Sequence, residues 1–451
     1  METPAVPMPK DERERQILNN LTAIQDSLLL LKRDRTKYIR TQDVVVLHDQ
    51  LIEQIRQVNE IRKGQQTEEN RLDKVLESCL QLISLFFMTI GRTTEAPAAY
   101  ALTSTIKRLL DHLTEARIFS GKDLTSISNT LDRLEGILKN TKKEHSPYLV
   151  ELLANRETRC RSVLANLRKQ LDQLDEPLQV IYERLISVMR SMSLANTKSK
   201  FSTSEVQKLK AKLQEINASQ VDGKFVDAEG KEYRGSEQVS VLLGHCLRWS
   251  DIVLERKGVI PEGFKDKYNI LIGIRNDLEK LSLTQAWSLR ETDLYDFQRQ
   301  LDKIDEARVD GNWLDPEGHP AELYVQRTLL YLIRRSYGYI YYLMNSSEPV
   351  SEALLPIYNQ LQTLKRCLIE VKNSGGVGSV RELYPYSMKL NSIDNMRVDG
   401  KFMVGNDIPE GQGNVSELLA ECFDLNYELR VAAEELEENE NQSPAPQDDA
   451  S

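Results

Sequence analysis

Glycine and proline are scarce in this chain, 21 and 15 among 451 residues. Both residues punctuate turns, so their scarcity favours long helices over a sandwich of many short strands. Cysteine is scarce too. Its five copies, at 79, 160, 246, 367 and 422, stand singly, and no Cys-x-x-Cys occurs. This points to a reducing compartment, with thiols used as small buried hydrophobes. No apolar run approaches the roughly 20 residues that a membrane span needs. The longest, Leu82 to Ile90, is interrupted by Ser84 and Thr89 and reads as buried helix. Residues 1–10 lack the apolar stretch of a signal peptide and are expected to be disordered.

Signatures of chemistry are missing as well. There is no GxxxxGK[ST], GxSxG or HExxH. Gly376-Val-Gly378 lacks a third glycine and a preceding strand, so it reads as a flexible connector. The five histidines (48, 112, 145, 245 and 319) never fall at i, i+3 or i, i+4, whereas a metal site needs ligands that converge. No catalytic, cofactor or metal residue is therefore assigned, and the chain reads as a non-enzyme. The net charge is −10, but seven carboxylates and no base lie between Glu434 and Ser451, which leaves the body at −3. A nearly neutral body lacks the clustered cation that general nucleic-acid binding requires.

What is present is an internal repeat. From Tyr182, apolar residues follow at +3, +6 and +10: Leu185, Val188 and Met192. The same offsets run from Tyr268 (Leu271, Ile274, Leu278), Tyr358 (Leu361, Leu364, Leu368), Leu18 (Leu21, Ile24, Leu28) and Tyr100 (Thr103, Ile106, Leu110). This spacing keeps the side chains on one helix face. The origins at 18, 100, 182, 268 and 358 lie at a near-constant period.

A second landmark marks the last three copies. Leu213 to Ile216, Leu301 to Ile304 and Leu390 to Ile393 each precede a Val-Asp-Gly: Val221-Asp222-Gly223, Val309-Asp310-Gly311 and Val398-Asp399-Gly400. An aromatic follows (Phe225, Trp313, Phe402), then a turn ending in Glu-Gly at Gly230, Gly318 and Gly411. These are read as hairpin-like structural loops, with the aromatics turned inward and Asp222, Asp310 and Asp399 capping backbone amides. Calcium is not expected there, because EF-hand ligand spacing is missing.

The expected fold is all-α, with helix above about 60% against a usual third: a tandem array of five three-helix units at 11–95, 96–175, 176–261, 262–350 and 351–433. Pro97, Pro177, Pro261 and Pro349 sit at the joints, where helices start. Residues 434–451 form an acidic tail, expected to be mostly disordered. Cys79, Cys246 and Cys422 follow apolar pairs at one position where the fourth unit has Ile333, which argues for packing and against redox chemistry. The basic runs Lys32 to Arg40 and Lys198 to Lys212 read as solvated helix faces.

The third helix of the fourth unit stands out. It interleaves Tyr324, Arg327, Tyr331, Arg334, Arg335 and Tyr342 with further tyrosines. Tyrosine with arginine can stack on bases and bind phosphates. The same residues suit a protein-binding surface, or a helix buried on several sides with hydroxyls reaching its edges.

The stretches Val221-Asp-Gly-Lys-Phe225 and Val309-Asp-Gly-Asn-Trp-Leu-Asp-Pro-Glu-Gly-His319 resemble a fungal family of uncharacterised proteins defined by a domain of unknown function. The resemblance runs from about Ile17 to about Arg430. It implies a fungal protein of cytoplasm and nucleus and supplies no activity or site residues. The expectation is a non-enzymatic helical-repeat scaffold that binds other proteins, without a membrane role. The alternative is an RNA- or anionic-ligand-binding protein that uses the Tyr/Arg helix.

Overall fold

The computed structural model describes residues 6–63, 68–140, 145–284 and 289–442. The fold is all-α, with 74% of the chain helical. Fifteen α-helices occur among the described residues. In chain order they are α1 (Glu12–Arg33), α2 (Thr41–Ile61), α3 (Arg71–Thr89), α4 (Ala99–Ala116), α5 (Gly121–Asn140), α6 (Pro147–Asp172), α7 (Glu176–Asn196), α8 (Thr203–Ala218), α9 (Ser236–Arg256), α10 (Glu262–Thr284), α11 (Leu294–Glu306), α12 (Leu323–Asn345), α13 (Leu355–Asn373), α14 (Tyr384–Asp394) and α15 (Gln412–Gln442). The only named strands among these residues are β1 (Arg397–Val398) and β2 (Lys401–Phe402), an antiparallel pair.

Local chemistry explains many of the ends. Asp11 accepts from the N–H of Arg13 to open α1, and Asn70 opens α3 in a capping box with Asp73. Ser202 accepts from the N–H of Glu205 to open α8. Proline sits in the first turn of α7 and α13, where its missing N–H costs nothing. The repeated apolar register is the buried face: Leu21, Leu28, Ile106, Leu185, Met192, Leu271, Leu278, Leu361 and Leu368 are all fully buried.

Consecutive helices pack together. The first three contact one another, α6 takes both α4 and α5, α7 to α9 form a bundle, and α10 and α13 lie along α12 and α15 with short α11 and α14 beside them. The groups are not strung out in order, however. Helix α12 lies along α4 and touches α7, while α3 meets α4 and α11. Residues 17–344 therefore share one continuous apolar core, and residues 350–433 form a second. Helix α3 is enclosed on all sides from Leu82 to Thr89, and Ser84 is satisfied by donating to the Ala98 carbonyl (2.7 Å) and accepting from the Ala101 N–H (2.8 Å). Among the described residues no helix is long and apolar enough to cross a membrane.

Three expectations need correction. The basic run Lys32 to Arg40 is not simply a solvated face. Buried Lys32 pairs with Asp296 at 2.5 Å, Arg35 pairs with Asp293, and the Tyr38 hydroxyl donates to Asp407 at 2.9 Å. These partners lie over 250 residues away, so the sequence pattern carries no trace of them. At the N-terminus the Pro7 carbonyl accepts from the Arg71 N–H (2.9 Å) and the Pro9 carbonyl from Arg15 (2.9 Å), so residues 7 to 9 are held in place. Residues 1–5 lie outside the described residues. At the other end α15 runs through Glu434 to Gln442, because its register continues past the last buried apolar position, Ala433. The remainder of the tail, 443–451, lies outside the described residues.

Candidate functional site

The three Val-Asp-Gly loops are two-residue hairpins. Val221 and Lys224 exchange both backbone hydrogen bonds at 2.9 Å, as do Val309 and Asn312. The third copy pairs Val398 with Lys401. The aspartates and glycines take consecutive positive φ: 50° and 77° at Asp222 and Gly223, 49° and 79° at Asp310 and Gly311, 50° and 78° at Asp399 and Gly400. This is the type I′ turn, whose twist matches that of paired strands. Aspartate is one of the few side chains tolerated at the left-handed position. In the first two copies the capping role expected of these aspartates falls instead to the next aspartate in the chain. Asp227 Oδ1 accepts from the N–H groups of Glu229 and Lys231 at 2.9 Å, and Asp315 Oδ1 from those of Glu317 (2.9 Å) and His319 (2.8 Å).

Phe225, Trp313 and Phe402 are buried beneath their loops. The N–H of Phe225 donates to Ser236 Oγ at 2.8 Å. In the other copies a glutamine takes both sides of the aromatic's backbone. Gln412 accepts from Phe402 N–H at 2.9 Å and donates to its carbonyl at 2.7 Å, and Gln326 does the same for Trp313 at 3.3 and 3.4 Å. Sequence reasoning missed these clamps, whose signal is a glutamine 10 or 13 residues past the aromatic. Each loop leaves its valine outside: Val221, Val309 and Val398 are 56, 53 and 55% exposed, and the third also exposes Met403 and Ile408.

Helix α12 divides its tyrosines and arginines between packing and a cleft. Tyr324 is buried and donates to Asn196 Oδ1 at 2.9 Å. The Tyr337 hydroxyl donates to Asp302 at 2.6 Å. Arg327 lies 5.6 Å over the Trp249 ring, and burial lowers its pKa. Arg335 sits over Tyr339 at 4.4 Å and donates to its hydroxyl at 2.8 Å. Tyr342 is 45% exposed. Of the six candidate residues the structure brings Tyr331, Arg334 and Arg335 together around a cleft of about 420 Å³, joined by Lys122, Asp123, Arg190 and Tyr341 from elsewhere in the chain. Tyr324, Arg327 and Tyr342 do not line it. Burial, then repulsion by Arg190, pulls Arg334 down to about 10, so it remains charged at neutral pH.

Cys79, Cys160, Cys246 and Cys422 are buried, and Cys367 is exposed. Burial pushes the thiols of Cys79 and Cys246 up to about 12 and those of Cys160 and Cys422 to about 11. Ile333 is equally buried, as its shared register with the cysteines leads one to expect. Among the described residues Asp315, Glu317 and His319 alone gather metal-ligating atoms; Asp315 Oδ1 takes two backbone N–H groups, and its Oδ2 lies 3.4 Å from His319 Nδ1.

Comparison with known proteins adds relatives but no activity. A family described as a protein of unknown function (DUF2408) matches residues 171–291 and 348–447, which contain the first and third of these loops, while the second lies between the two matched segments. A CUB1 family protein of Schizosaccharomyces pombe is 38% identical over 437 residues, covering 95% of this chain and 94% of the relative. The Cu(2+) suppressing and bleomycin sensitive protein 1 of Saccharomyces cerevisiae is 34% identical, covering 97% and 93%. No solved structure matches.

Proposed function

Because the chain belongs to the fungal DUF2408 family of proteins of unknown function, and a scaffold suits its fold, we propose that it is a non-enzymatic helical scaffold of cytoplasm and nucleus that binds other proteins. The observation that carries this reading is the exposed valine at the base of each type I′ turn. Each is held by a turn of fixed twist and by an aromatic buried just beyond it. A rigidly presented apolar residue loses little conformational entropy on binding, which is what preorganised contacts require. Long helical surfaces add area without a deep polar pocket.

The name of the Saccharomyces relative refers to Cu²⁺ and bleomycin. Carried to this chain, such a response would run through its partners. Thiolate is the form that binds soft metal ions, and four of the five thiols are buried with raised pKa.

The test is affinity capture with the full chain, with and without nuclease, beside a variant carrying Val221→Ser, Val309→Ser and Val398→Ser. These exposed changes are expected to shift stability by under about 0.5 kcal/mol each. Proteins that survive nuclease and are lost with the folded triple variant support the proposal. Capture that vanishes with nuclease, or that the triple variant leaves unchanged, overturns it.

A further inference from the structure

The cleft beside α12 has a charge opposite to that of the chain. Four cations line it (Lys122, Arg190, Arg334 and Arg335) against one carboxylate, Asp123, in a protein of net charge −10. That carboxylate is occupied: it pairs with Arg190 and accepts from the Ser120 N–H at 2.8 Å. Arg334 is left with one hydrogen bond, to the Ile118 carbonyl at 3.2 Å, and among the described residues no carboxylate pairs with it. Arg190 repels it, and the attraction of Asp123, which is itself bound to Arg190, is the weaker of the two.

Arg334 is half-buried, and charges drawn out of water are ordinarily paired, because an unpaired ion gives up hydration without return. Two other enclosed arginines of this chain follow that rule. Arg62 meets Glu14 and Asp73 at 2.6 Å, and Arg290 meets Glu352 at 2.6 Å. Arg275 and Arg327 have no carboxylate either, but they face an amide oxygen with a carbonyl and an indole ring, and neither lines this cleft. Arg334 differs in being unpaired at the wall of an open cavity. An anion entering that cavity would supply the missing partner.

The other wall materials narrow the class. Tyr331 and Tyr341 contribute rings, and Leu109, Leu113 and Ile127 contribute apolar surface. A volume of about 420 Å³ falls within the usual range for small-molecule sites, roughly 300–1,000 Å³. Arginine matches phosphate with a fork of parallel donors. We propose that the cleft between α4, α5, α7 and α12 binds a small phosphate monoester with an apolar or aromatic body. Arg334 holds the phosphate, exposed Lys122 and Arg335 complete the cationic wall, and the tyrosine and leucine surfaces take the body. This site is independent of the hairpin tips, so either reading can fail alone.

The test uses the full chain in phosphate-free buffer, with AMP, inorganic phosphate and adenosine as probes, by calorimetry and thermal melting. AMP is expected to bind and raise the melting temperature, inorganic phosphate to do so more weakly, and adenosine to have no effect. Arg334→Met should weaken AMP binding at least tenfold and, without anion, melt at or above wild type, because an uncompensated charge has gone. Lys122→Glu, at an exposed position that does not endanger the fold, should weaken AMP binding severalfold. The proposal is overturned if neither AMP nor phosphate binds at millimolar concentration, or if Arg334→Met melts lower while Lys122→Glu binds as wild type. It is also overturned if an RNA oligonucleotide binds and AMP does not compete with it.

Discussion

Trp313 shows what one side chain does for a loop. Its ring is 1% exposed, its Nε1–H donates to the Ile304 carbonyl at 3.0 Å, and Arg308 lies 5.1 Å over its face. The loop, the end of α11 and the start of α12 thus meet on one residue. Truncation removes the packed volume and leaves a carbonyl unpaired. Trp313→Ala is expected to cost about 3–5 kcal/mol, and Phe225→Ala, which lacks the hydrogen bond, about the lower end of that range. Denaturant melts read both directly. Two variants as stable as wild type would show that the aromatics do not pin their loops.

At the scale of the element, α15 shows where a helix stops contributing to the core. Leu429 and Ala433 are 3% and 1% exposed, whereas Leu436 is 50% exposed. Beyond it the sequence adds Glu437, Glu438 and Glu440 and, in the last turn, no base, at the end of a helix where the dipole disfavours negative charge. Truncation after Leu436 is therefore expected to leave the unfolding free energy within about 0.5 kcal/mol of wild type, on the stabilising side if it moves. A loss of several degrees in melting temperature would assign the segment a packing role.

At the scale of the whole molecule, the two apolar cores are joined by a small polar knot around Glu352. Its carboxylate accepts from Arg290 Nε at 2.6 Å and Nη2 at 3.0 Å and from the Ile39 N–H, while its own N–H donates to the Thr89 carbonyl at 3.0 Å. Arg290 also reaches the carbonyls of Asp34 (2.9 Å) and Lys37 (3.2 Å). Backbones close in around it: a Cβ added to Gly91 would lie 2.6 Å from the Ser351 nitrogen, and one added to Gly411 would lie 2.7 Å from the Val350 Cα. The pair is well buried, with side chains 8% and 12% exposed. Removing one partner of such a pair leaves a buried charge alone and costs about 3–5 kcal/mol. Glu352→Ala should show that loss in a denaturant melt, together with faster amide exchange across α13 to α15. Unchanged exchange there would mean that the apolar contacts alone hold the second core in place.

The sequence by itself determined the all-α class, the buried face of the five helices that carry the repeated spacing, and the hairpins, because all three are local. A 3-3-4 spacing places side chains on one side of a helix wherever that helix packs, and Asp-Gly after a valine selects a type I′ turn from backbone sterics alone. The inward aromatics and the shared packing position of Ile333 and the cysteines were legible for the same reason. Tertiary structure alone decided which helix meets which: α12 returns to α4, and the basic run from Lys32 finds carboxylates over 250 residues away. It also divided the Tyr/Arg helix, burying Tyr324 and leaving Arg334 at a cavity wall. Whether a given arginine is paired depends on carboxylates that other helices bring within about 4 Å, and the energy of that encounter falls with distance in space while sequence separation does not enter it.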